Sequence, residues 1–402
     1  MSIQKTNQVN LVYRTLKIRR KLAKLGLSNE EIEHVKELCR RFDALGNLFV
    51  RGYEVYPPDI DSRIKYEFNY FKNEISFNKD NVTKPKRWFC KIHAIGNVQI
   101  KTKKGEKDRG YLIFIDLAKN IIRVRGFFKG RALTVQLKDS EVKYILNRLN
   151  EGAKVKFTRV YVDYEDYFNI DVVFERVKPV FEAKPNRITF IDVNDWRYGI
   201  HYFIITINEN NQCKLHEKSI VRPNLRKLET LYDKAIVLEK KLGKLKRLGL
   251  KYSDEYRRLR KEVKNIRRKI YAIIRNVVNK GVHEVVQKAL LYKTKVIIDD
   301  MFEESRRELL EEKYPNGLMK IYLAGLRRFI KLLTTQLEWY GIPYEFKNFS
   351  STLCPFCETK MVLIKKTKTE RIMKCSKCGF TANRDKIPIH WVLKLLNKVS
   401  VS

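Results

Sequence analysis

The sequence predicts a multidomain α+β protein. It has an N-terminal helical and β-barrel region, an α/β core carrying a helical-hairpin insertion, and a cysteine ribbon inserted near the C-terminus. Three observations carry this reading. The chain has 402 residues, more than one ordinary core serves, so about two to four domains are expected. Hydrophobic spacing switches from helical to alternating and back along the chain. Four of the seven cysteines fall into two CxxC pairs close to the C-terminus. The expected divisions are 1–90 for an N-terminal strand and helical region, 91–183 for the barrel, and 184–350 for the core with its hairpin at 223–290. The ribbon then spans 351–380, and 381–402 holds a last core motif and a C-terminal helix.

Each element has a local cause. Residues 28–50 read as a helix, with Ser28 and Glu31 as a capping box and Ile32, Val35, Cys39, Phe42, Leu45 and Phe49 at helical spacing. From about 90 to 180, short alternating runs such as 111–115, 121–125 and 154–160 read as strands. Turn residues such as Lys104-Gly105 and Lys129-Gly130 separate them, which suggests a small barrel or sandwich with one basic face. Residues 186–193 form a buried strand ending on Asp192, and 199–205 a second strand after a short turn at Gly199. In 225–280, Leu228, Leu231, Ala235, Leu238, Leu242 and Leu245 step by three and four. After a break at Gly249, with Ser253 as N-cap, Tyr256, Leu259, Val263, Ile266, Ile270 and Ile273 do the same. Two such seams predict antiparallel helices. Another buried strand, 294–298, runs into Asp299 and Asp300; a helix near 316–340, a strand at 344–347 and a helix from about Asp385 complete the series.

Charge narrows the partner. Lys and Arg number 84 against 46 acids, a net charge of +38, so self-repulsion calls for a polyanion such as nucleic acid. The basic side chains cluster on the outside of the hairpin. Lys240, Lys241, Lys244, Arg247, Arg257, Arg258, Arg267 and Arg268, with Arg384 near the C-terminus, are the candidate contacts. A charge run on a helix is ordinarily solvated surface, but one nearly all of one sign exceeds what solubility needs. No stretch approaches the roughly 18–20 apolar residues of a membrane helix, and the first residues lack a secretory apolar core. A cytoplasmic protein without a membrane partner is expected.

The cysteines point to a metal. Cys354 and Cys357 are followed, after 17 residues, by Cys375 and Cys378. Two knuckles at that distance bring four thiolates to tetrahedral reach, the pattern of one closed structural Zn²⁺ site. The acids Asp192, Asp299 and Asp385, at strand ends or a helix start, point to another. Two-metal phosphodiester hydrolysis requires carboxylates converging on a pair of hard cations, two Mg²⁺ with Mn²⁺ able to substitute. Rigid strands and a helix would hold such ligands where loops would not.

These motifs resemble those of the TnpB family. Ile191-Asp192-Val193-Asn194 resembles its first RuvC motif, 297–301 its second, the run from Asn348 to Cys357 its approach to the zinc ribbon, and 381–385 its third RuvC motif. The resemblance is strong over roughly 186–396 and looser over 1–180. It departs at Asp299, where the family usually has Glu, with Glu303 or Glu304 as possible compensation, and after Asp385, where Lys386-Ile387-Pro388 replaces an Asn and small residues.

The resemblance implies an RNase H-like (RuvC) nuclease core and an RNA-guided DNA endonuclease associated with a transposon. Its partners would be a structured, transposon-derived guide RNA and target duplex DNA with a short flanking motif, with a monomer on the RNA. Asp192, Asp299 and Asp385 would be both catalytic and Mg²⁺-binding. A compact type V CRISPR effector, a nuclease-inactive RNA-guided repressor, and a basic zinc-ribbon DNA-binding factor without a guide remain alternatives.

Overall fold

A computed structural model describes residues 10–50, 92–94, 98–102, 106–163, 165–193, 199–207, 213–299, 317–347, 349–367 and 370–399, with a few isolated positions between them. Asn194, Asp300, Glu303, Glu304, Asn348 and the Lys104-Gly105 turn lie outside the described residues. The chain divides into two compact units, Met1–Lys178 and Pro179–Ser402.

In the first unit, strand β1 (Leu11–Lys21) pairs antiparallel with β8 (Tyr167–Val177) over its whole length, from Leu11↔Val177 to Lys21↔Tyr167. Strands β7 (Lys154–Val162) and β2 (Ile92–Ala94) complete a four-stranded sheet in the order β1-β8-β7-β2. Helix α1 (Asn29–Val50) begins where the capping box places it: the Ser28 amide donates to Glu31 and the Glu31 amide to the Ser28 hydroxyl. A second four-stranded sheet holds β3 (Val98–Lys101), β4 (Ile113–Asp116), β5 (Ile121–Val124) and β6 (Leu133–Gln136), followed by helix α2 (Asp139–Asn150). The described strands of this unit thus form two four-stranded sheets.

The second unit is built on a five-stranded mixed sheet. Strands β9 (Arg187–Val193), β10 (Ile200–Ile207) and β11 (Cys213–Val221) form an antiparallel meander. Strands β12 (Lys295–Asp299) and β13 (Tyr344–Lys347) add on parallel to β9, giving the order β11-β10-β9-β12-β13. Between β11 and β12 runs the hairpin, α3 (Leu225–Arg247) and α4 (Asp254–Tyr292). Asn224 and Ser253 cap the two helices by accepting from Lys227 and Tyr256 amides. Helix α5 (Gly317–Tyr340) precedes β13, and helix α6 (Ile387–Val399) ends the described chain.

Strand alternation sorts the sheet into two faces. Ile191, Val193, Ile204 and Ile298 face a core shared with α3, α4 and α5. In α4 the buried seam is Leu259, Val263, Ile266, Ile270 and Ile274. The expected Ile273 is only partly buried there, because a straight helix drifts off a three–four repeat. The Arg267 guanidinium reaches Glu239 at 2.6 Å and ties α4 to α3. Gly281 lets α4 approach β11: a Cβ there would lie 2.5 Å from a Val221 methyl. Gly341 turns the chain at φ +70°, and any Cβ would meet the Pro179 carbonyl oxygen. The opposite face carries Ile188, Phe190, Phe203, Ile205 and Ile297, covered by Val392 of α6 and by Phe349.

Candidate functional site

The face covered by α6 also carries the acids. Asp192 alternates with Phe190 on β9, and Asp299 with Ile297 on β12, so both carboxylates leave the sheet on that side. The last registered pair between these parallel strands is Ile298↔Ile191. One residue further, Asp299 and Asp192 stand at the same level, one strand spacing of about 4.8 Å apart. Both are buried, 1% and 2% exposed respectively, whereas most other acids among the described residues are at least partly exposed. Taking two neighbouring carboxylates out of water is costly without cations to hold them. The Phe349 backbone amide donates to Asp299 Oδ1 at 3.0 Å and fixes that carboxylate's orientation. Asp385 lies in the 3-10 turn Arg384–Lys386 that leads directly into α6. The backbone therefore brings it to the start of the helix that packs on this face, and its side chain lies outside the described residues.

Other residues of this face are not apparent from spacing alone. His201 of β10 is the register partner of Asp192, is 8% exposed, and stacks on Phe203 with ring centroids 6.3 Å apart. Lys347 of β13 is the partner of Asp299, its ammonium 3.1 Å from Glu345. On β11, Lys218 is the partner of Phe203 and lies 5.8 Å from the centre of that ring. Burial, the charge of Lys386 and a contact with its side chain hold the Lys218 ammonium below its ordinary range. Only pairing across the whole sheet, from β11 to β13, makes these neighbours; a histidine two residues before a buried phenylalanine was the single local hint.

A separate small sheet, β14 (Met361–Lys366), β15 (Arg371–Cys375) and β16 (Thr381–Asn383), carries the cysteines. The sulfurs of Cys354, Cys357, Cys375 and Cys378 all lie within 4.8 Å of one another. The Cys354–Cys378, Cys357–Cys375 and Cys357–Cys378 separations are 3.5, 3.3 and 3.7 Å. Four sulfurs about 2.3 Å from a tetrahedral zinc stand about 3.8 Å apart, so the cluster fits that ion. The two knuckles are built alike. The amides of Glu358 and Gly379 return to the carbonyls of Cys354 and Cys375, and both residues are left-handed, at φ +60° and +75°. Cys354 and Cys375 in turn donate their amides to the carbonyls of Thr359 and Phe380.

The Thr359 hydroxyl lies 3.0 Å from the Cys357 sulfur and 3.2 Å from that of Cys375. That hydroxyl, with the Cys378 amide, brings the Cys375 thiol down to about 6. The Phe380 amide favours a Cys378 thiolate, but burial and the three neighbouring sulfurs push that thiol up to about 12. Phe356 and Phe380 pack edge-on 4.9 Å apart, and His390 of α6 lies 5.1 Å from Phe380, where burial pushes its imidazole below the ordinary histidine range.

Among the candidate nucleic-acid contacts, Lys240, Lys241, Lys244, Arg247, Arg257, Arg258 and Arg268 are exposed on the hairpin. Arg257 reaches Asp254 at 3.5 Å. Arg267 and Arg384 are partly buried and engaged within the protein: the first pairs with Glu239, and the second donates to the Ser351 hydroxyl at 3.1 Å.

A family model described as Cas12f1-like, TNB domain matches residues 327–387, from within α5 through the cysteine sheet to the first residue of α6. That match supports the resemblance to TnpB-like and compact type V effector proteins. No curated protein matches the sequence. Among solved structures the chain is similar to one described as the Cas12f1-sgRNA-target DNA complex, with 12% identity over 91% of this chain and 81% of that one, at a TM-score of 0.47. It is also similar to the mini-RNA-guided endonuclease CRISPR-Cas_phi3, with 9% identity over 70% of this chain and 58% of that one, at a TM-score of 0.40. Likenesses of that size carry no further conclusion.

Proposed function

We propose that the chain is an RNA-guided DNA endonuclease with an RNase H-like (RuvC) core. The observation that carries this reading is the placement of Asp192 and Asp299 at one level of adjacent parallel strands, beneath a helix entered through Asp385. Two buried carboxylates and a third acid at the helix start suit a pair of Mg²⁺ or Mn²⁺ ions. Such ions would activate the attacking water and stabilise the leaving 3′-oxygen of a phosphodiester. The protein's own part is positional. Phe349 holds the Asp299 carboxylate in place, the sheet sets the spacing of the acids, and α6 with the phenylalanines beneath it keeps bulk water from their base. The four cysteines would hold one structural Zn²⁺ and with it the ribbon that delivers the chain to Asp385.

The guide is supported by the net charge of +38 and by the exposed basic side chains of α3 and α4. Their density suits the backbone of a structured RNA, while base pairing would select the DNA target. The transposon setting comes from the TnpB resemblance. The Cas12f1-like match over 327–387 favours a second reading, a compact type V CRISPR effector, and a repeat array beside the gene would decide for it.

The test starts from the purified full chain. Its co-purifying RNA is sequenced, and duplex DNA complementary to that RNA, carrying a randomised flanking segment, is offered with Mg²⁺, Ca²⁺ or chelator. Cutting with Mg²⁺, binding without efficient cutting in Ca²⁺, and one defined RNA species are expected. Heterogeneous RNA and cutting unrelated to its sequence would remove the guide from this reading.

A further inference from the structure

A pocket in the first unit stands apart in sequence from both the acids and the cysteines. It encloses about 420 Å³ and is lined by Arg123, Arg125, Phe128, Lys129, Arg131 and Thr134, with two small residues of the loop between them. Its walls follow from strand alternation. Ile122 and Val124 of β5 are buried, so Arg123 and Arg125 leave the sheet on the other face, where Thr134 of β6 is the register partner of Arg123. The loop from β5 to β6 closes the pocket, and helix α1 fastens that loop. His34 Nε2 donates to the Phe127 carbonyl at 2.8 Å, and Glu31 pairs with Arg131. Asp108 holds the other two arginines, 2.5 Å from Arg125 and 3.4 Å from Arg123. The site is thus built before any ligand arrives.

Its chemistry has two halves. Four cations line it against two carboxylates that pair with them, Asp108 and Glu31, which leaves two positive charges and no acid in the lining. Guanidinium groups so held keep further N–H donors for the oxygens of a phosphate. The Arg131 guanidinium lies over the Phe128 ring, 4.3 Å from its centre, so a flat cation–aromatic stack forms the other half of the wall. A bare phosphate would leave most of the pocket empty, whereas cavities of about 300–1,000 Å³ take small organic ligands. A planar base joined to a phosphate meets both halves at once. We propose that this pocket takes one nucleotide, its base against the Phe128–Arg131 stack and its phosphate on Arg123, Arg125 and Lys129. A free nucleoside monophosphate and an unstacked residue of a single strand offer the same chemistry, and the experiment separates them. No contact involves the carboxylates of β9 and β12, so the inference does not rest on the nuclease reading.

The full chain, stripped of nucleic acid in high salt, is photo-crosslinked with two probes. One is 4-thiouridine monophosphate, and the other is a short uridine strand carrying a single 4-thiouridine; adducts are mapped by mass spectrometry. An adduct within 123–134 is expected. Its formation with the mononucleotide marks a free nucleotide as ligand, and its formation with the strand alone marks an unstacked residue. No adduct in that segment from either probe would overturn the proposal. The probe concentration giving half of this adduct then reads the pocket separately from the other basic surfaces. F128L should raise that concentration by about tenfold, as for one lost base stack, and F128W should restore it. R123Q, which leaves the Arg125–Asp108 pair in place, should flatten its salt dependence by about one phosphate contact, while R123K keeps the wild-type slope. An F128L chain that binds as tightly as wild type would overturn the place of the base, and an unchanged slope in R123Q would overturn that of the phosphate.

Discussion

Asp299 closes β12 with a side chain one methylene shorter than the glutamate that the TnpB resemblance leads one to expect. The structure shows how the shorter acid is held. Its Oδ1 accepts the Phe349 amide at 3.0 Å, and the residue is 1% exposed, so the carboxylate is fixed by the backbone beside it. A glutamate would carry its carboxylate past that amide. Asp299→Glu should therefore slow cleavage by about a hundredfold, as expected for a misplacement of about 1 Å, and Asp299→Ala should slow it further. Parallel single-turnover assays check the order; a glutamate variant as fast as wild type would mean that the Phe349 bond does not set the ligand position. Of the residues around this acid, Asp192 was legible from a buried strand ending on a carboxylate. His201 was not, because its place beside Asp192 depends on antiparallel register and not on sequence distance.

The cysteine ribbon and the hairpin show what a single element contributes. In the ribbon, two knuckles with the same hydrogen bonds bring four thiols within 4.8 Å, a cluster that could hold a metal ion. One zinc per chain is expected by elemental analysis. Cys375→Ser should lose that ion and unfold the ribbon, since structural zinc supplies roughly 10–16 kcal/mol of apparent binding energy in small domains. Proteolysis confined to the C-terminal segment would report it, and freshly purified wild type without zinc would contradict it. In the hairpin, Gly281 lies where α4 meets Val221, and Gly281→Ala places a methyl 2.5 Å from a side chain that has little room to move. The overpacking should cost about 1–3 kcal/mol, read as a lower Tm; an unchanged Tm would mean that β11 and α4 separate freely there.

The same elements show how far local pattern carries. The helices α1, α3 and α4 were legible from their caps and their spacing, because those signals lie within a few residues. The full-length pairing of β1 with β8 was not, since its partners stand about as far apart as the unit allows, from Leu11 to Val177. Strand β11, with exposed Leu215 and Ile220, lacks the buried alternation that betrays a strand in sequence; its place at the sheet edge explains why. That edge is also what makes Lys218 invisible until the sheet is assembled.

Across the whole molecule, a net charge of +38 favours a polyanionic partner, and RNA affinity should fall steeply with salt through counterion release. Neutralising Lys240, Lys241 and Lys244 together should reduce the slope of log affinity against log salt by about two to three contacts, and an unchanged slope would move the RNA off the hairpin. If carboxylates on neighbouring strands cut DNA while basic surfaces and base pairing only hold it, cleavage and binding must separate in one variant. Asp192→Ala is compared with wild type in the same preparation, scoring target binding and target cleavage side by side with Mg²⁺. Binding of guide RNA and target DNA should be unchanged, with cleavage down by at least about a thousandfold. Cleavage by Asp192→Ala at the wild-type rate, or loss of binding in step with loss of cleavage, would contradict it.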